Sequence, residues 1–405
     1  MTIDINAWGV PPGERYKALA EQFRPLFEKI RAGALAREIN RTLPFEQIGW
    51  LKEARFGALR VPEEFGGFGA TLPELFGLLI ELSAADSNIT QALRGHFALV
   101  EDILNTKIAG RREKWLPRFA TGQIAGNAWT ELDSSLRAFS SRVSRDGGEA
   151  YLDGTKYYTT GSVFADWIHV GCVNDKDEPI SAIVHRHARG VTVADDWDGF
   201  GQTLTASGTT IFDHAPLEWE DVAPEDDRFP YSPAFYQLII LAALAGVGRA
   251  AADEAAGAVA RRRRTYSHAA AERAGADPQV LQIVGRIQGA AFGAGAIVLK
   301  VAEALADAHD RLRRGDAATD EAVALAELQA AQAQTVVSGL VLDATALIFD
   351  ALGASAVRRG SGLDRHWRNA RTLSSHNPRI YKDRIVGDYA VNGTPPPPQW
   401  TVGNA

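Results

Sequence analysis

Cysteine is almost absent from this 405-residue chain. Its one residue, Cys172, has no partner for an internal disulfide and cannot build a cysteine metal cluster, so a reducing compartment, the cytoplasm, is the default setting. An excess of positive charge is missing too. Forty-three basic against fifty acidic residues give a net charge of −7, which argues against nucleic acid or an anionic membrane surface as a partner. The N-terminus, "MTIDINAWGVPPGERYK", has no basic start followed by an apolar stretch. The longest apolar run, "FYQLIILAALAGVG", breaks into glycine short of a membrane span and reads as a buried helix. No glycine-rich turn leads from a strand into a helix. "GFGAGAIVLK" lies inside a helical pattern, so no nicotinamide site is expected. Metal-ligating spacing is also lacking: "HRH" at 185–187 alternates faces on a strand, and His169, His214, His268 and His366 stand apart.

What the chain does have is a hydrophobic period that changes twice. From Pro12 to about Thr121, stretches such as "RYKALAEQFRPLFEKIRAGALAREIN" repeat apolar residues every three or four positions, as helices do. Short segments rich in Val, Ile, Tyr and Thr then follow, punctuated by glycine and aspartate, as in "WIHVGCV" and "GTTIFDH". The helical period returns near 233–272, 278–313, 318–353 and 364–388. The pattern predicts an α+β chain: an N-terminal α-helical domain (1–121), a middle antiparallel β domain (122–222) and a C-terminal four-helix bundle with tail (223–405). "GTPPPPQW" is a stiff polyproline tail. The alanine-rich helices carry more small apolar surface than one internal face needs, which predicts a homotetramer built as a dimer of dimers.

Four segments, in order, resemble the signature segments of the acyl-CoA dehydrogenase superfamily. They are "LRVPEEFGGFGA" (59–70), "NAWTELDSS" (127–135), "LDGTKYYTTGSVFAD" (152–166) and "FGQTLTASGTTIFDH" (200–214). The resemblance covers nearly the whole chain and implies a flavin held between the β domain and the bundle, in a dimer or tetramer. It further implies that Asn127, Trp129 and Thr130 meet the flavin's pyrimidine edge and that the Thr160 hydroxyl lies near N5, with Trp197, Arg371, Ser375 and Asn377 as further cofactor contacts. Read without it, "YYTTG" is a strand end whose threonines favour β structure. Arg264, closing "RRRRTYSH", falls near the family's flavin-phosphate arginine, supplied to a neighbouring subunit; the rest of the run reads as a solvated helix end.

Dehydrogenases of this superfamily carry a glutamate base in the C-terminal region, where this chain reads Ser374-Ser375-His376-Asn377. The segment from Trp367, Arg368 and Asn369 through Arg371 and Thr372 to His376 resembles instead the reduced-flavin-dependent, dibenzothiophene monooxygenase-like branch. That branch implies FMN, bound reversibly as FMNH2 from a separate NAD(P)H-dependent flavin reductase, and oxygenation of a small molecule at sulfur, nitrogen or an aromatic carbon through a C4a-hydroperoxyflavin. His376 would titrate near neutrality and help protonate the peroxide. His96, in "ALRGHFALV", matches a second active-site histidine of the branch; on residue chemistry alone it is a helix-face histidine satisfied by a carbonyl. Leu373 and Thr160 depart from the branch, which has histidine and serine there. Phe97, Trp129, Phe235 and Tyr236 are candidate pocket walls, or core. The alternatives are an FAD-dependent acyl-CoA dehydrogenase, with Asp350 or Asp364 as base, and a non-catalytic flavin-fold oligomeric partner.

Overall fold

The computed structural model describes residues 13–132 and 139–397. The "DSS" of the "NAWTELDSS" segment, residues 1–12 and the tail past Pro397 lie outside the described residues.

Six helices come first: α1 (Glu14–Asn40), α2 (Phe45–Glu53), α3 (Leu72–Ala85), α4 (Ser87–Ala92), α5 (Arg94–Asn105) and α6 (Arg111–Ala120). Helix α3 starts at a capping box, in which Thr71 and Glu74 satisfy each other's backbone N–H, and Pro73 occupies its first turn. The carboxylate of Asp86 caps α4 in turn. Helix α3 is buried on nearly every side because it lies at the centre of the molecule, between α1 and the C-terminal helices. Phe23, Phe27, Phe56 and Phe97 lock the N-terminal helices together through edge-to-face contacts.

The sheet follows: β1 (Ala125–Ala128), β2 (Arg142–Asp146), β3 (Glu149–Tyr157), β4 (Trp167–Val173), β5 (Pro179–His185), β6 (Val191–Val193), β7 (Thr209–Leu217) and β8 (Val222–Pro224). Its order is β6-β7-β3-β2-β4-β5-β8, with β1 attached to β4. Most pairs are antiparallel, as expected, but the sheet is mixed. Strand β1 runs parallel to β4, and β2 meets β4 in parallel at Arg142 and Val173. The reason is connectivity: β1 enters from α6 and passes along β4 towards the helices, where no hairpin turn sets its direction.

The C-terminal part consists of α7 (Ser232–Arg261), α8 (Pro278–Arg314), α9 (Thr319–Leu352), α10 (Asp364–Ser375) and α11 (Lys382–Asn392). Two expected helices are corrected. Helix α7 ends at Arg261 rather than 272, because the Arg262 guanidinium turns away to donate to the last carbonyls of α9, Leu352 O at 2.6 Å and Ala351 O at 3.3 Å. The segment 364–388 breaks in two at Pro378, which lacks an N–H and disfavours helical backbone before it. Helices α7, α8 and α9 are also long and apolar enough to cross a membrane, which the sequence reading did not expect. For α7 the apolarity is explained by burial of 83% of its apolar window inside the protein.

Candidate active site

A cleft of about 580 Å3 opens where the sheet, α4–α5, the start of α7 and the end of α10 converge. Its β wall is built by close backbone approaches. A Cβ on Gly126 would lie 2.4 Å from Ser162, so β1 can run against the 159–162 turn only as glycine, and there Ser162 Oγ donates to Asn127 O at 3.2 Å. Gly161 has φ +79° and faces Ala92 O, which pulls the turn against α4. Tyr158 holds φ +64° without being glycine, a strained conformation at the cleft rim, with its ring against Trp197.

This packing presents Asn127, Trp129, Thr130 and Thr160 to the cleft. Asn127 Oδ1 and Trp129 Nε1 are buried with no hydrogen-bond partner among the described residues. One acceptor and one donor, left unpaired together, fit the alternating carbonyl and N–H groups of an isoalloxazine edge. Thr160 Oγ1 bonds Ser207 Oγ at 2.8 Å, Ser207 bonds Thr205 Oγ1 at 2.7 Å, and Thr205 donates to Gln202 O at 2.8 Å. Each hydroxyl has one proton. The chain of donors therefore runs from Thr160 to Gln202, leaving Thr160 with only acceptor capacity towards the cleft.

The loop between β6 and β7 closes the rim and is clamped by α10. Asn369 Oδ1 accepts Gln202 N–H at 2.6 Å, and Arg368 donates to Phe200 O at 2.8 Å. Gly201 lies so close that a Cβ would meet Arg368 O at 2.2 Å. From the other side, Ser87 accepts from Gln202 Nε2 and Asn88 from Leu204 N–H. The Trp367–Thr372 motif thus works mainly as a clamp: Thr372 lines the cleft, whereas Arg371 does not.

At the inner end, Arg94 Nη2 lies 3.0 Å from His376 Nε2, and His376 Nδ1 lies 3.1 Å from Asn377 Oδ1. A guanidinium can only donate, so Nε2 is the acceptor and Nδ1 carries the proton. Asn377 is fixed in turn, because its Nδ2 donates to Gln237 at 2.5 Å. The surrounding protein and then the Arg94 charge push the His376 pKa down. Its ring edge is open to the cleft, and the solvent there limits how far burial acts; the direction is the same from both causes. This corrects the expectation of a histidine titrating near neutrality. His376 is neutral, with its lone pair engaged.

His96 is not at the cleft. It is fully buried, with Nε2 2.9 Å from Gly57 O and Nδ1 accepting Ala125 N–H at 3.2 Å, so it pins α5 to β1 and to the 56–58 turn. Burial lowers its pKa to about 4. The cleft-facing residues of this stretch are Gln91 and Arg94. His96, two residues past Arg94, points about 200° around the helix from it.

The chain matches the acyl-CoA dehydrogenase N-terminal domain over residues 13–123 and the acyl-CoA dehydrogenase C-terminal domain over residues 238–378, together more than half its length. It belongs to the acyl-CoA dehydrogenase family. Among curated members, it is 29% identical to dibenzothiophene monooxygenase of Rhodococcus erythropolis, over 93% of this chain and 94% of that protein. It is 24% identical to the probable FMNH2-dependent monooxygenase SfnC of Pseudomonas putida, over 93% and 95%. The complex of TdsC from Paenibacillus sp. A11-2 with FMN and indole superposes with a TM-score of 0.85 at 26% identity, covering 95% of this chain and 99% of that one.

Of the remaining family-derived positions, Trp197, Ser375 and Asn377 line the cleft. Ser375 gives its proton to Arg371 O, and Asn377 spends its amide on His376 and Gln237, so Asn377 positions the histidine. Arg264 is exposed beyond α7, outside the cleft of its own chain. Phe97 and Phe235 are core, whereas Trp129 and Tyr236 are walls. The sequence did not single out Arg94, Arg228, Ser207 or His309. Arg94 opens α5 three residues after Gln91 of α4, and both line the cleft, but no motif in the sequence marked either. His309 joins Tyr231 and Glu101 in a buried network away from the cleft.

Proposed function

We propose that this protein is the oxygenase of a two-component system: an FMNH2-dependent monooxygenase that places one atom of O2 on the sulfur, nitrogen or aromatic carbon of a small molecule. The observation that carries this reading is the inner end of the cleft, where a neutral histidine is held by an arginine and no carboxylate base is presented. Among the described lining residues the one carboxylate is Glu225, beside Arg228. A dehydrogenase needs a base free to take the proton next to a thioester. His376 has its lone pair engaged, and Asp350 and Asp364 are exposed outside the cleft.

Reduced FMN, when bound, supplies the two electrons that activate O2, the second oxygen atom leaving as water. Trp129 Nε1 and Asn127 Oδ1 offer a donor and an acceptor to its pyrimidine edge, with Thr130 alongside. Thr160, its proton committed to Ser207, accepts from a donor, and reduced flavin has an N–H at N5 where oxidised flavin has none. Phe139, Tyr158, Trp197 and Phe200 give the cleft aromatic walls. The names of the relatives, an FMNH2-dependent monooxygenase and an FMN complex among them, support the same reading. A separate NAD(P)H-dependent reductase delivers FMNH2. The protein works in the cytoplasm as a homotetramer, with Arg264 of one subunit at the flavin phosphate of the next.

The test is purified protein with FMN, a generic flavin reductase, NADH and isotope-labelled O2, offered a panel of small sulfides, amines and indoles. One labelled oxygen per product is the expected result. Anaerobic reduction of bound flavin by an acyl-CoA, with no labelled product, sinks the reading in favour of an FAD-dependent dehydrogenase. Lack of flavin affinity favours the non-catalytic partner.

A further inference from the structure

Four arginines are buried among the described residues, and three of them face a carboxylate. Arg37 pairs with Asp86 at 2.8 Å, Arg60 with Glu101 at 2.8 Å and Arg111 with Asp227 at 3.3 Å. Arg94, 8% exposed, is the exception. Its one polar contact among the described residues is the neutral His376, its Nε has no partner, and it opens onto the cleft. A buried guanidinium without a counter-anion is costly, and such groups are kept where an anion completes them.

The groups around it are donors as well. The Tyr236 ring lies 5.4 Å from the Arg94 guanidinium, and its hydroxyl is buried without a partner. Burial raises the Tyr236 pKa, so the hydroxyl keeps its proton. Arg228 lies 5.5 Å from the same ring, but it is compensated by Asp102 at 3.7 Å. One positive charge and one hydroxyl, both facing the cleft and both unanswered, remain.

We propose that the substrate carries an oxyanion head group, a carboxylate, sulfinate or sulfonate on a small apolar body, and that Arg94 and Tyr236 receive it. This rests on the oxygenase reading only in calling the anion a substrate. Arg94 supplies the charge-assisted contact and Tyr236 the second donor, so the head group sets which end of the substrate enters first. The His376 lone pair holds the guanidinium in place for it.

The probes are benzoate and its neutral counterpart benzamide, titrated calorimetrically into the full chain, with FMN and riboflavin titrated separately by fluorescence quenching. Wild type should bind benzoate at least about tenfold tighter than benzamide. Arg94→Met should abolish that preference while benzamide and FMN affinities stay within about threefold. Tyr236→Phe should cut the preference by about threefold or more, and it decides the question if the arginine variant does not fold. An equal affinity of wild type for both probes, or a preference that survives in the variants, overturns the proposal. So does an Arg94→Met protein that loses FMN but keeps riboflavin, because the anion would then be the flavin phosphate. If wild type binds no flavin yet shows the preference and loses it in Arg94→Met, the oxyanion site stands and the oxygenase reading falls.

Discussion

His96, buried, and His376, open to the cleft, do two different things. His96 joins two backbone groups, Gly57 O and Ala125 N–H, and Gly57 is glycine because a Cβ there would lie 2.5 Å from the ring. His96→Ala should therefore cost about 2–4 kcal/mol by chemical denaturation, as two buried backbone groups lose their bonds and a cavity opens. Flavin affinity of the folded variant should be unchanged. The pH dependence follows from the lowered pKa: the unfolded chain takes up the proton first, so the His96 contribution is full above 6.5 and fades as pH falls towards about 4. The variant should lose less stability across that window than wild type does, and an identical pH profile would contradict the buried role. His376 positions the cleft arginine. With its lone pair held by Arg94 and its pKa pressed down, it gives coupling no inflection near pH 6.5. His376→Ala should lower the ratio of product to hydrogen peroxide by about tenfold or more at saturating FMNH2, by freeing Arg94 and so misplacing what it holds. Wild-type coupling in that variant would return His376 to a structural part.

At the scale of elements, the cleft is an agreement between a sheet and two sets of helices, and its parts differ in how far sequence reveals them. The "NAWT" and "YYTTG" segments were legible through the family resemblance, and glycine at 126 and 161 is what lets the backbone bring them together. The α10–α11 break was legible in Pro378. The end of α7 was not, since Arg262 is drawn off by α9 carbonyls ninety residues away in sequence. Residue chemistry alone read His96 as a helix-face histidine satisfied by a carbonyl, and Gly57 O is that partner; the family register misplaced it at the site, because register gives a position and the helix phase decides where it points. A further tertiary feature is Glu131, which accepts from Ser140, Ser141 and the buried Lys156 and so ties the end of "NAWTE" back to β2 and β3. Burial alone would raise its pKa, but the bonds from Lys156 and Ser140 hold it down to about 2. A carboxyl lowered in this way stabilises the fold above its ordinary 4.5 and loses that contribution as pH falls towards about 2. Glu131→Gln should cost about 3–5 kcal/mol at pH 7, because Lys156 is left buried and unpaired. The gap from wild type should narrow near pH 3, read from urea midpoints at both pH values; a constant gap would mean that the carboxylate charge is not what stabilises the Glu131–Lys156 contact.

For the whole molecule, the unanswered surface lies on α8 and α9. Leu281 and Phe292 stand about half exposed on α8, with Gly285 and Gly289 between them, and a Cβ on either glycine would meet nothing. Leu325 and Val336 are exposed on α9. Small residues at four-residue spacing beside large apolar ones allow close helix approach, and a monomer has no use for such a face in water. The Arg264 side chain, outside its own cleft, has a ligand to meet only if another subunit brings one. On the proposed reading one association both covers α8 and α9 and carries Arg264 to a neighbouring cleft, which makes the two testable together. Light scattering at micromolar concentration should give a multiple of the 43.7 kDa chain, with four copies as the expected assembly. Phe292→Glu should break it by burying a charge at the contact. FMN affinity should then fall by about tenfold in the dissociated protein, the scale of one lost charge-assisted phosphate contact. Arg264→Ala should reproduce that fall with the oligomer intact, and the two changes together should be no worse than either alone. A monomer that binds FMN as tightly as the wild-type assembly would separate Arg264 from the cofactor and leave the apolar face of α8 without a functional reason.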